Sequence, residues 1–173
     1  MSSKYPPLLL KYLTQYQENP KSRIFAPLAE AYRKIGLVDE AIQICREGLD
    51  HHPTFIGGKV ALARALFDKK RHRDVRELLK DAINEIPDNL LAQRLLADSN
   101  LVLGFLDEAL NAYKMILYFN PSDEEVAGMV QELETQSYQG GGLLKDGPNP
   151  EKMRKLLRLQ SLLSRVQAAQ HSI

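Results

Sequence analysis

The chain has no tryptophan, a single cysteine and no dominant sign of charge, with 23 basic residues against 22 acidic ones over 173 positions. Each of these scarcities excludes something. One cysteine, Cys45, cannot form an internal disulfide or a framework of thiolate ligands, and it fits a reducing compartment. A net charge of +1 rules out wholesale attraction to nucleic acid or to an acidic membrane face. Aromatics make up 7% of the chain, and no continuous basic stripe interleaves with them, which points away from nucleic acid. The opening "MSSKYPPLLLKYLTQ" offers three leucines cut off by Lys11, too few for a signal peptide, and no run approaches the roughly 20 apolar residues of a membrane span. The expectation is a soluble, cytoplasmic protein.

Chemistry is equally sparse. His51 and His52 close one helical stretch, His72 sits in a basic turn and His171 in the tail, and none has a second ligand at metal spacing. The glycine run "QGGG" lacks the lysine and hydroxyl residue of a phosphate-binding loop, and "KKRHR" (69–73) reads as a solvated turn. The sequence therefore predicts no catalytic residue, no metal and no cofactor, so the chain is expected not to be an enzyme.

What is present is repetition. Hydrophobic residues reach 44%, and prolines stand 34 residues apart at 53, 87 and 121. In the same register "LA" falls at Leu28-Ala29, Leu62-Ala63 and Leu96-Ala97, then Ala41, Val75 and Ala109, then Leu49, Ile83 and Leu117. Each copy carries two helical periodicities joined by a break, "KIGLVD", "KKRHRD" or "VLGFLD". Asp39 and Asp107 are placed to cap the second helices. Thr54, Asp88 and Ser122 are placed to cap the first, with Ser122 and Glu125 forming a capping box. Alanine beside leucine lets paired helices approach closely.

This period and pattern resemble the tetratricopeptide repeat. The resemblance implies an all-α, right-handed α-α superhelix of three helix-turn-helix repeats, at 22–55, 56–89 and 90–123. The first is the fullest match, with Phe25, Leu28, Ala29, Tyr32, Gly36, Ala41, Leu49 and Pro53. The second departs most, with Lys59, Leu66 and Lys70 at the aromatic, tyrosine and glycine places; the third has Asn100 for the tyrosine. Cys45 falls where the family buries a packing residue. A repeat array needs solvated ends, so capping helices are expected over about 5–18 and 123–136, completing a domain over 1–138.

Residues 139–150 form a Gly/Pro linker, and 151–170 read as a separate amphipathic C-terminal helix. Its apolar seam is Leu156, Leu159, Leu163 and Val166, widened by Met153, Leu157 and Leu162. Arg154, Arg158, Ser161 and Arg165 lie opposite, and from Pro150 onward the chain is net +4. Such a face demands cover: its own repeats, a second copy in a homodimer, a partner, or, as a minor alternative, a membrane surface.

In the family, repeat positions 2, 5, 9, 12 and 13 line a concave groove. Here they are Arg23, Ala26, Glu30, Arg33 and Lys34; Gly57, Val60, Arg64, Phe67 and Asp68; and Leu91, Arg94, Asp98, Leu101 and Val102. The resemblance thus implies a scaffold or adaptor taking a protein or peptide segment that carries acidic groups and apolar anchors, gated by the C-terminal helix. Ala26, Glu30 and Arg64 replace the lysine and asparagines of the chaperone-tail carboxylate clamp, which argues against that subclass. In style the repeats are similar to bacterial scaffolds of envelope, pilus, secretion or motility and polarity machinery, among whose partners are small GTPases.

Overall fold

The computed structural model describes residues 5–139, and the linker and amphipathic helix expected beyond Gln139 lie outside them. The described residues form helices only: α1 Pro7–Glu18, α2 Phe25–Lys34, α3 Val38–His51, α4 Ile56–Asp68, α5 His72–Leu79, α6 Ala82–Glu85, α7 Leu90–Leu103, α8 Leu106–Phe119 and α9 Glu124–Gln139. The chain divides between Glu85 and Ile86 into two compact units.

In the first unit α2 packs against α1, α3 and α4, α3 also packs against α4, and α5 lies on α4. Its centre is Phe25, fully buried at the start of α2. A Cβ at Gly48 of α3 would sit 2.1 Å from that ring, and one at Gly58 of α4 would sit 2.7 Å from it. Two helices can close on one phenylalanine because both present hydrogen there. His52 stacks on the same ring at 6.3 Å between centroids, and Phe55 meets it edge-on at 5.7 Å. Leu9 of α1 packs with Leu28 and Ala31, ringed by Tyr12, Leu13, Tyr16 and Tyr32.

Among the described residues of the second unit, α8 lies along α7 and α9 packs on α8. Tyr113, Ile116, Val126, Leu133 and Leu101 form its core, all almost without exposure.

The helix-to-helix turns are alike in both units. Gly36, Lys70 and Gly104 occupy the same repeat position with φ of 82°, 58° and 83°. At each turn the left-handed residue donates back to the helix, Gly36 N to Arg33 O, Lys70 N to Phe67 O and Gly104 N to Leu101 O. The next residue closes the wider loop, Leu37 N to Tyr32 O, Arg71 N to Leu66 O and Phe105 N to Asn100 O. This paired pattern satisfies the last carbonyls of the helix. Lys70 adopts the conformation without glycine's freedom, at a cost of about 1 kcal/mol.

The helix starts differ from expectation by one residue. Asn89, not Asp88, caps α7, its side chain accepting from Ala92 N at 3.0 Å. Asp123, not Ser122, caps α9 by accepting from Val126 N at 3.0 Å, while Ser122 bonds Asn120 instead. Phe55 precedes α4 with no side-chain cap, so Thr54 plays none. Asp39 and Asp107 lie inside the first turns of α3 and α8, where they complement the helix dipole. The second helix of the middle repeat is broken at Lys80-Asp81, a stretch in which Asp81 and Asn84 have polar side chains that compete for backbone groups.

Candidate functional site

In the first unit the face built by α2 and α4 is organised around Glu30. Its carboxylate receives Arg33 through Nε at 3.1 Å and Nη2 at 2.9 Å, and Arg64 through Nη1 at 3.0 Å. Arg33 then reaches across to Asp68, Nη1 to Oδ2 at 2.8 Å. The α-helical rise puts residues 30, 33 and 34 on one side of α2, and residues 64, 67 and 68 on one side of α4, so the two rows face each other. Burial, the largest single influence on Glu30, pushes its pKa up; the Arg33 hydrogen bonds and the charges of Arg64, Arg33 and Lys34 together outweigh it and hold the carboxyl below its usual range. Arg33 is held more firmly protonated than usual, chiefly by its bond to Glu30.

Around this lattice, Phe67 is half-buried with its ring edge-on to His72 at 5.0 Å. Desolvation, then the charge of Lys70, keeps the His72 pKa below normal. Lys34 is exposed. Arg23 is exposed too, its guanidinium 5.0 Å above the Phe55 ring, outside the Glu30 lattice. Arg33, Lys34 and Arg64 thus stand against Glu30 and Asp68, three positive charges to two negative.

The second unit places the same repeat positions in other surroundings. Arg94 pairs tightly with Glu125 of α9 and lies 3.9 Å from Asp123 and 3.8 Å from Asp98. Asp98 is only 6% exposed and accepts a 2.7 Å hydrogen bond from Tyr113 Oη. Burial raises its pKa to about 6, against the opposing pull of the Tyr113 bond and Arg94. Burial, then the charge of Asp98, raises Tyr113 well above normal. Leu101, expected to line a groove, is a correction: it is fully buried in the core cluster with Ala97, Leu106 and Val126 and presents no surface. Leu91 is exposed and Val102 half-buried. Here one guanidinium faces three carboxylates, a balance opposite to that of the first unit.

The seam expected at Met153, Leu156, Leu159, Leu163 and Val166 lies outside the described residues. Asp123 and Glu125 were missed by the repeat-position reading, since they reach Arg94 from the following helix; an acidic pair opening α9 was the available signal. Cys45 is fully buried, its pKa pushed up to about 12 by desolvation first and then by Glu30, which makes it a packing residue. Among the described residues no three His, Cys, Asp or Glu side chains gather as metal ligands, and no helix is long and apolar enough to cross a membrane.

No curated protein matches the chain. Among solved structures it is similar to a crystal structure of MamA, 16% identical with a TM-score of 0.67, over 91% of this chain and 89% of that one. It is also similar to MamA MSR-1, 19% identical with a TM-score of 0.66 over 88% and 85%, and to MamA AMB-1, 19% identical with a TM-score of 0.66 over 88% and 81%. At these identities the likeness is one of fold. The tetratricopeptide repeat pattern matches residues 36–98 and 66–133, which together span more than half of the sequence. The chain belongs to the tetratricopeptide repeat family.

Proposed function

We propose that the chain is a non-enzymatic adaptor, with repeats over 22–55, 56–89 and 90–123, and that it holds a partner protein's segment on the α2–α4 face of its first unit. The observation that carries this reading is the Arg33–Glu30–Arg64 lattice. Its cations are fixed in place by Glu30 and Asp68, so less side-chain entropy is lost when a ligand carboxylate arrives. Three cations against two carboxylates favour an acidic segment, and half-buried Phe67 offers an apolar contact beside them. The occupant is an extended or helical segment with Asp or Glu next to Leu or Phe.

Selection of random peptides on the full chain tests this. Enrichment of acidic-apolar sequences that lose at least about tenfold in affinity on Arg64→Glu with Phe67→Ala supports it. Enrichment of basic sequences, or affinity unchanged by that pair of substitutions, contradicts it.

A further inference from the structure

The cations of the α2–α4 face are not equally free to take a ligand. Arg33 is occupied by the protein itself. Its Nε and Nη2 fork onto the Glu30 carboxylate at 3.1 and 2.9 Å, and its Nη1 crosses to Asp68 Oδ2 at 2.8 Å. Every nitrogen of this guanidinium is bonded, and the side chain keeps 18% of its exposure. The planar fork that grips a carboxylate through two parallel bonds already holds one. Arg33 is therefore a strut tying α2 to α4.

Arg64 stands in the same lattice with the opposite balance. Among the described residues its partner is Glu30 Oε1, met by Nη1 at 3.0 Å, and 32% of its side chain is exposed. Nε and Nη2, the edge by which Arg33 grips Glu30, are left over on Arg64. Glu30 thus pins one corner of the guanidinium and leaves its forked edge open, which reduces the side-chain freedom lost when an anion arrives. Lys34 is exposed, but its ammonium on a flexible stem is a point charge with no fork to match a carboxylate. Phe67 follows Arg64 by three residues on the same side of α4, where neighbouring Cβ atoms lie about 5–6 Å apart. Its ring is half-buried against His72.

We propose that Arg64 is the specificity-determining residue of this face. Its Nε–Nη2 edge takes one ligand carboxylate, Glu30 positions it, Arg33 acts as the strut, and Phe67 takes an apolar side chain of the same ligand. The occupant is a helical segment with Asp or Glu three residues from Leu or Phe, because that spacing gives the ligand the same separation of about 5–6 Å. Asp68, four residues after Arg64 and partly exposed, stands on the far side of Phe67 from Arg64 in sequence and disfavours a second acid there. This deepens the adaptor reading and rests on it.

The test measures the affinity of the full chain for two helical peptides with an alanine–glutamine host, acetylated and amidated. One carries a single Glu three residues before a single Leu, and the other has Gln in place of that Glu. Partial unfolding of a variant weakens both peptides by the same factor, so the ratio of affinities reports the contact and not the fold. The parent is expected to prefer the Glu peptide by about tenfold, as for a charge-assisted contact. Arg64→Gln should bring the preference below about twofold. Arg33→Lys, which keeps a charge for Glu30 and Asp68 but gives up the fork, should leave most of it, as should Lys34→Gln. A parent without preference, a preference that survives Arg64→Gln, or one lost in Arg33→Lys or Lys34→Gln would overturn the proposal. Binding indifferent to Arg64→Glu with Phe67→Ala sinks the adaptor reading itself. Binding that this pair abolishes, with a preference that follows Arg33 or Lys34, sinks the assignment of Arg64 alone.

Discussion

The two units carry the same repeat positions to opposite ends. At position 9 the first unit has Glu30, half-buried and satisfied by two guanidinium groups; the second has Asp98, buried and bonded to a tyrosine. At position 12 stand Arg33, reaching across to the next helix, and Leu101, wholly inside the core. Shared backbone geometry therefore does not impose shared use. In the first unit the outward positions form reciprocal ion pairs between adjacent first helices, and in the second they turn apolar or are buried.

The largest expected effect breaks the comparison at its glycines. Gly48→Ala should destabilise the first unit by about 3 kcal/mol or more, because the new methyl overlaps the Phe25 ring. Gly128→Ala in α9 meets nothing within 4 Å and should stabilise the chain by up to about 1 kcal/mol. Denaturant unfolding followed by circular dichroism separates the two.

Next comes the pH response of the buried carboxyl. Asp98 holds its proton more tightly folded than unfolded, at a pKa of about 6 against 3.8, so its contribution to stability falls as pH rises through that interval. The whole change is on the order of 3 kcal/mol. Asp98→Asn keeps an acceptor for Tyr113 and should flatten stability between about pH 4 and 6, with the variant gaining on the parent at neutral pH. A slope unchanged by the substitution would assign the titration elsewhere.

Arg33→Ala should cost about 1 kcal/mol by leaving Glu30 to Arg64 alone and removing the cross-helix ion pair to part-exposed Asp68. The equivalent Leu101→Ala should cost about 2–5 kcal/mol through the cavity it leaves. The former loss should shrink in high salt and the latter should not. The smallest effect sharpens the turns: Lys70→Gly should stabilise by about 1 kcal/mol, since the left-handed φ of 58° suits glycine.

Much of this was legible in the sequence. The proline register and the Leu-Ala pairs predict the repeat family, and Lys70 standing in the glycine place marks the strained turn before any coordinates. Cap positions slipped by one because Asn89 and Asp123 adjoin equally suitable Asp88 and Ser122, and only backbone geometry chooses between them. Gly48 closing on Phe25 joins residues 23 apart on different helices, a contact that periodicity within a helix does not encode. The burial of Asp98 and Leu101 was likewise invisible, since repeat position alone assigned them to a surface. Arg94 was legible as a groove cation, but its carboxylate neighbours on α9 came from packing between helices.

The central claim, that the first unit's α2–α4 face is the one that receives an acidic segment, is tested most directly by an amide-shift titration of the isotopically labelled full chain. The probe is a synthetic peptide of alternating Glu and Leu. The account predicts shifts concentrated on residues 23–34 and 57–68 that weaken with salt and vanish in Arg64→Glu. Shifts concentrated on residues 91–102, or shifts that survive the substitution, would contradict it.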